Sequence, residues 1–356
     1  MEAIPATLAP GGSPESSRPT AARWPLRVRL TVTVAGFGLL ALATCLLAPL
    51  VGSTQISLAR AFDPSIPFAD NVDAQIFFVA RLPRVLAGAL VGAALASAGV
   101  VFQAMLRNPL ATPFTLGVSA GSSLGAMLAI LFGASASLGP LSPVPLASLA
   151  GAILAAAIVY WLATRPGRPI STSVLLLAGV TLNSLFSALI LFAQFLADYA
   201  QVYRAARWLM GDLDVGGLAP LLGALPLVIA AFAVFALLPG SLNLLSIGAD
   251  AAAARGVDVA RTQRLAFVSA SLATAAAVSL AGPIGFVGIV VPHLVRLLVG
   301  VDHRIVLPAS ALFGASFLVA CDLVARTLLA PVEIPVGVIT AMIGGPFFLW
   351  LLVRRG

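Results

Sequence analysis

Few side chains in this sequence have the reach for covalent or metal chemistry. Its 356 residues include two histidines, two cysteines and no lysine, so all 20 basic residues are arginine. A phosphate-binding P-loop needs a lysine that reaches the β- and γ-phosphates, and a Schiff base needs a lysine amine. Both are excluded, and any ATP that drives this chain must be bound by another subunit. Cys45 and Cys321 lie far apart inside apolar runs, poor material for a disulfide framework or a metal cluster, and read as small packed hydrophobes. His293 follows Pro292 in an apolar stretch and His303 sits in the polar turn Val301-Asp302-His303-Arg304; neither has the partner spacing that a metal requires. Gly117-Val118-Ser119-Ala120-Gly121 matches the G-x-S-x-G of a serine nucleophile, but that motif acts only between a strand and a helix with an acid and a histidine beside it, whereas here it lies in an apolar glycine stripe. Asp322 is the one clear acid inside an apolar run. Intramembrane acids mark ion-coupled transport, so a secondary transporter using Asp322 is the alternative to weigh, although Arg326 four residues on suits an intrahelical ion pair.

The elements that carry these residues are membrane helices. The chain is 60% hydrophobic and 9% charged, against about 45–50% and about 25% in soluble proteins. Residues 1–28 form a Pro-, Ser- and Gly-rich arm expected to be disordered and cytoplasmic, and residues 29–356 a single transmembrane domain. Apolar runs predict spans at about 31–52, 84–106, 114–133, 143–164, 172–196, 217–238, 263–282, 286–300, 306–328 and 335–352. Residues 53–80, with Asp63-Pro64, Asp70 and Asp73, read as an outer loop. With the amino terminus inside, fourteen arginines fall on the cytoplasmic side and six outside: Arg60, Arg81, Arg84, Arg204, Arg207 and Arg326. That asymmetry is the one the positive-inside rule requires, and it places both termini in the cytoplasm.

Gly88 and Gly92, and Gly117, Gly121 and Gly125, recur every four residues, a spacing that lets helix backbones approach closely. Residues 84–125 and 263–300 share a weak echo, each a small-residue helix, a Gly/Pro break and a Gly-containing helix; inverted repeats of interrupted helices are common in transporters. The segment 239–264 alternates short Ala-rich stretches with glycines and reads as a folded cytoplasmic loop able to seat a soluble partner.

Several ordered motifs together resemble one family. They are Arg81-Leu82-Pro83-Arg84; Arg107-Asn108-Pro109-Leu110-Ala111 with Pro113 and Leu116-Gly117; Leu177-Ala178-Gly179; and Trp208-Leu209-Met210-Gly211. Gly248, Gly256-Val257, Gly285-Phe286-Val287-Gly288, Pro292-His293, Asp302-His303-Arg304 and Glu333-Ile334-Pro335-Val336-Gly337 follow, with Gly344 and Pro346. Over residues 30–354 the chain resembles the binding-protein-dependent ABC permeases for iron-siderophore, haem and cobalamin uptake, the FecCD type. The resemblance implies an all-α polytopic fold of ten helices per subunit, with an inverted-repeat-like arrangement, in a homodimer in the bacterial cytoplasmic membrane. It implies a transport subunit with no catalytic site, cofactor or metal of its own, with ATP and Mg bound by two cytoplasmic ATPase subunits. A periplasmic or surface-tethered binding protein would deliver the cargo, with a ferric siderophore favoured over haem and cobalamin. Arg81, Arg84 and Arg326 would receive acidic residues of the binding protein, and Gly248, Arg255, Gly256 and Val257 would shape the ATPase seat.

Overall fold

An apolar segment in lipid must satisfy every backbone N–H and C=O within itself, which leaves the helix as the economical solution for runs of about twenty residues. The computed structural model describes residues 25–133, 142–164 and 170–355, and all regular structure among them is helical. Most of the expected arm, including Arg18 and Arg23, and the loop arginines Arg165 and Arg168 lie outside the described residues.

The principal helices are α1 (Leu26–Leu47), α2 (Leu82–Leu106), α3 (Val118–Leu131), α4 (Pro143–Ala163), α5 (Thr172–Leu196), α6 (Tyr199–Leu209) and α7 (Ala219–Leu237). After them come α8 (Pro239–Ile247), α9 (Ala249–Ala253), α10 (Val259–Ala281), α11 (Val287–Val299), α12 (His303–Thr327) and α13 (Val336–Arg355). Seven helical stretches, those of α1, α2, α4, α5, α7, α10 and α12, are long and apolar enough to cross a membrane; α3, α11 and α13 are apolar but shorter.

One expectation is corrected. The second span does not begin near residue 84: a π-helical turn, Ile76–Arg81, runs from Val72–Gln75 straight into α2, making one helical stretch from Val72 to Leu106. Pro83 has no N–H and crowds the carbonyl four residues back. The wide turn just before it, closed by Leu82 N–H on Phe77 O, carries the helix past that obstacle. The stretch between the predicted spans at 172–196 and 217–238 contains a further helix. Asp198 and Gln201 form a reciprocal capping box that starts α6, whose Tyr199 and Tyr203 are exposed while Ala205 is buried.

Helix α2 is the axis of the packing, touching α10, α11 and α12. Small residues make this possible. A Cβ on Gly92 would overlap the Gly314 carbonyl of α12, and one on Gly99 would overlap the Gly288 carbonyl of α11; Gly88 faces Val319. Along α3, Gly121 lies against Gly151 and Ala155 of α4, and Gly125 against Ala147. Both helix–break–helix units are present, α2/α3 and α10/α11. The breaks contain Arg107 and Phe286, which among the described residues are the two non-glycines with positive φ (50° and 67°).

Candidate functional site

The charged residues gather at the end of the bundle where α1 stops and α2 begins. Arg81 sits in the last position of the π turn and Arg84 one turn on, while Asp322 and Arg326 share a face of α12 and Glu333 lies in the loop to α13. Arg84 Nε donates to Asp322 at 2.9 Å and its Nη1 to Glu333 at 2.6 Å. Arg326 Nε lies 3.6 Å from the other oxygen of Asp322. Two of the guanidiniums also donate to backbone: Arg326 Nη2 to Ala48 O, and Arg81 to the carbonyls of Pro49, Leu50 and Thr54. Carbonyls at a helix end have no intrahelical partner, so two arginines here close the α1 terminus. Gly52 leaves room for this, since a Cβ there would come within 2.7 Å of Arg81 Nη2.

All three guanidinium residues are buried: Arg81 is 6% exposed, Arg84 9% and Arg326 4%, with Asp322 at 1%. The structure therefore brings Arg81, Arg84 and Arg326 together, but as the wall of a cavity of about 210 Å³ that Glu333, Asp214 and Gly52–Thr54 complete, not as projecting surface charges. Glu333 is the accessible member, its side chain 47% exposed. Asp322 is held between two arginines, the position of a structural counter-ion. A buried pair of this kind is costly to break, by about 3–5 kcal/mol, yet weak as net stabilisation, because both ions lost their water.

The opposite end is organised by Asn243 of α8. Its Nδ2 donates to Asp302 Oδ1 at 2.7 Å, and its Oδ1 accepts the His303 backbone N–H at 2.9 Å, so one amide ties the 239–264 segment to the first turn of α12. Partial burial would raise the Asp302 pKa, but hydrogen bonds from Asn243 and the Arg304 N–H, with the charge of Arg304, hold it below the ordinary value. Beyond α8 the chain turns at Gly248 (φ 145°), forms α9 and turns again at Gly256 (φ 82°). Arg255 and Gly256 are exposed and Val257 half-buried. Sequence reasoning singled out these four residues but not Asn243, which anchors them. It also missed Glu333 as the second acid on Arg84, although the segment containing it stood out. Arg296, counted with the cytoplasmic arginines, lies in the last turn of α11 and donates to Gln103 Oε1 of α2 at 2.5 Å, while Gln103 Nε2 donates to Gly288 O.

Ser119 follows a 3₁₀ turn, Pro113–Leu116, and begins α3 with 5% exposure. A helical turn stands where a nucleophile elbow needs a strand. Cys45 and Cys321 are free thiols, and no group of three or more His, Cys, Asp or Glu that could hold a metal occurs among the described residues.

A helical bundle with several membrane-length apolar helices, ionic residues sequestered at one end and a folded segment at the other defines a polytopic membrane protein. A profile of the FecCD transport family matches residues 39–354, and the chain belongs to that family. Similar proteins include the cobalamin import system permease BtuC of Halobacterium salinarum, 45% identical over 84% of this chain and 79% of that one. The hemin transport permease HmuU of Yersinia pestis is 38% identical over 77% and 82%, and the ferric enterobactin permease FepD of Escherichia coli K12 is 36% identical over 92% and 97%. A solved structure described as an inward-facing conformation of a metal-chelate type ABC transporter superposes with a TM-score of 0.77 at 33% identity, covering 91% of this chain and 99% of that one.

Proposed function

We propose that the chain is the membrane permease of an ABC importer for a bulky metal chelate: a corrinoid, haem or a ferric siderophore. The family match across residues 39–354 carries this reading. The chain crosses the membrane ten times, the three shorter apolar helices completing the seven longer ones, and both termini face the cytoplasm. It works as a homodimer by alternating access and performs no covalent chemistry. With no lysine for a P-loop, it leaves ATP and Mg to two ATPase subunits, seated on the segment shaped by Gly248, Arg255, Gly256 and Val257. The exposure of Arg255 and the anchoring of that segment by Asn243 support this assignment.

A binding protein docks at the other face, over Arg81, Arg84 and Arg326. Because Arg84 is already paired, a docking carboxylate reaches it by displacing the half-exposed Glu333. The deciding experiment is uptake into proteoliposomes holding the permease, its ATPase and its binding protein, with labelled cobalamin, haem and a ferric siderophore in separate arms. Cobalamin is the first to try, since the archaeal relative cited above is the most similar of the three. Uptake should require ATP and survive an uncoupler. Uptake that collapses with the uncoupler while ATP persists would return the ion-coupled reading based on Asp322.

A further inference from the structure

At the end of α1 opposite the Arg84 cluster lies a larger cavity to which nothing above assigns a role. It measures about 810 Å³ and opens between the start of α1 and the turn from α11 to α12, with Arg29, Val32, Leu298, Val301 and Asp302 among its lining residues. Arg29 is the fourth residue of α1, and its Nη2 donates to Val299 O, the last carbonyl of α11, at 2.8 Å. The next residue is Gly300, whose positive φ of 86° makes the turn out of α11 beside the guanidinium. Among the described residues no carboxylate pairs with Arg29. Asp302, the acid in the wall, is engaged by Asn243 and the Arg304 N–H. Among the described residues Nε and Nη1 of this guanidinium have no partner and are left for a ligand. The surrounding walls are apolar and open, with Val32 54%, Leu298 71% and Val301 75% exposed.

A cation with donors to spare, placed in the first turn of a membrane helix above exposed apolar walls, matches a molecule with an anionic head and hydrocarbon tails. Arginine pairs with phosphate through two parallel N–H···O bonds, and basic pockets between helices at the membrane boundary suit anionic lipid heads. Arg27 and Arg304, both exposed, add to the local positive potential. We propose that this cavity binds an anionic phospholipid, its phosphate on Arg29 and its chains along Val32 and Leu298. The lipid would bridge α1, which buries no residue fully, to the α11–α12 turn. The proposal is independent of cargo and of the ATPase.

Native mass spectrometry of the full chain tests it, with phosphatidylglycerol and phosphatidylcholine of identical chains titrated in separate arms. The wild type should retain phosphatidylglycerol about fivefold better, the ratio that corresponds to ~1 kcal/mol for one arginine at an anionic surface. Arg29→Gln should erase the preference, whereas Arg60→Gln, an exposed arginine beyond the opposite end of α1, should keep it. Val301→Glu should also erase it while leaving the Arg29–Val299 bond in place, which separates ligand loss from local unfolding. Equal retention of the two lipids, an unchanged preference in Arg29→Gln, or equal loss in Arg60→Gln would overturn the proposal. So would displacement by soluble glycerol 3-phosphate, which would mark a site for free phosphate. A several-fold rise in retention on deleting residues 2–24 would identify the amino-terminal arm as the occupant and overturn it too.

Discussion

Arg84 and Asp322 stand 238 residues apart in sequence and meet at 2.9 Å, joining the start of α2 to the last turns of α12 where both are nearly inaccessible to water. Removing one partner leaves the other charge buried and uncompensated. Asp322→Asn should therefore lower stability by about 3–5 kcal/mol, and replacing both by apolar residues of similar volume should recover most of it. Thermal unfolding in detergent of Asp322→Asn and of the double variant Arg84→Met, Asp322→Leu checks this. A single variant as stable as the double one would mean that Arg326 and Glu333 absorb the change.

Glu333 occupies the position on Arg84 that a docking carboxylate would need. Glu333→Gln removes the competing charge but keeps the shape, and should raise the association rate of the binding protein about two- to tenfold, since complementary charge acts chiefly on encounter. Surface plasmon resonance against the reconstituted permease reads this directly. An unchanged association rate would mean that docking does not involve Arg84. Arg84→Glu is a poorer probe, because it gathers a third acid beside Asp322 and Glu333 in a buried site and disrupts the fold for reasons unrelated to docking.

Gly99→Ala should cost more than an ordinary surface change, about 1–3 kcal/mol or more, because the added methyl overlaps the Gly288 carbonyl and the two backbones must part. Gly36→Ala in α1, with nothing within 4 Å of the new Cβ, is the matched control and should be close to neutral. Unfolding midpoints measured side by side decide; equal effects would mean that α2 and α11 separate freely.

Asn243→Ala should loosen the 239–264 segment from α12 by removing three hydrogen bonds, one to a carboxylate and two to His303, at a cost of about 1–3 kcal/mol. In the assembled importer the expected signature is ATP hydrolysis that continues while uptake falls. Uptake and hydrolysis that stay in step would show that force passes elsewhere.

The same knot has a pH dependence of fixed sign. The Asp302 pKa is held below its ordinary value, so its contribution is full above the unfolded pKa of about 3.9 and is lost as the pH falls through the lower folded value. A spin label at the exposed Ser246 should stay immobile down to about pH 4 and gain mobility below it. Asp302→Asn should show the higher mobility at every pH; loosening that begins near neutrality would point to another group.

Much of the architecture was legible because hydrophobic length is a strong signal: the runs at 143–164, 172–196 and 217–238 match α4, α5 and α7 closely. The signal failed where polarity and helix coincide. The apolar residues Ile76–Ala80 are cut off from α2 by Arg81, Pro83 and Arg84, and α6 is amphipathic, so neither produces an apolar run of membrane length. At the site, the arginines stood out by breaking the positive-inside pattern, which identifies unusual charges but not their partners. Glu333 lies 249 residues from Arg84 and Asn243 59 from Asp302, and no local spacing rule spans such gaps. The burial of the arginines was hidden for the same reason, since it depends on where the α1 terminus folds back.

The glycine contacts along α2 set a mechanical limit. Where Gly92 meets Gly314 and Gly99 meets Gly288, backbone rests on backbone with no side chains between them, and no rotamer change can take up a sliding or tilting motion there. A displaced helix would strike a carbonyl within a fraction of an ångström. Helices α2, α11 and α12 thus form a stiff keel, fastened at one end by Arg84 and Asp322 and at the other by Arg296 and Gln103. The compliance that transport demands must belong to the loosely covered helices around it, α1, α5 and α7, in whose apolar stretches fewer than a third of the residues are buried.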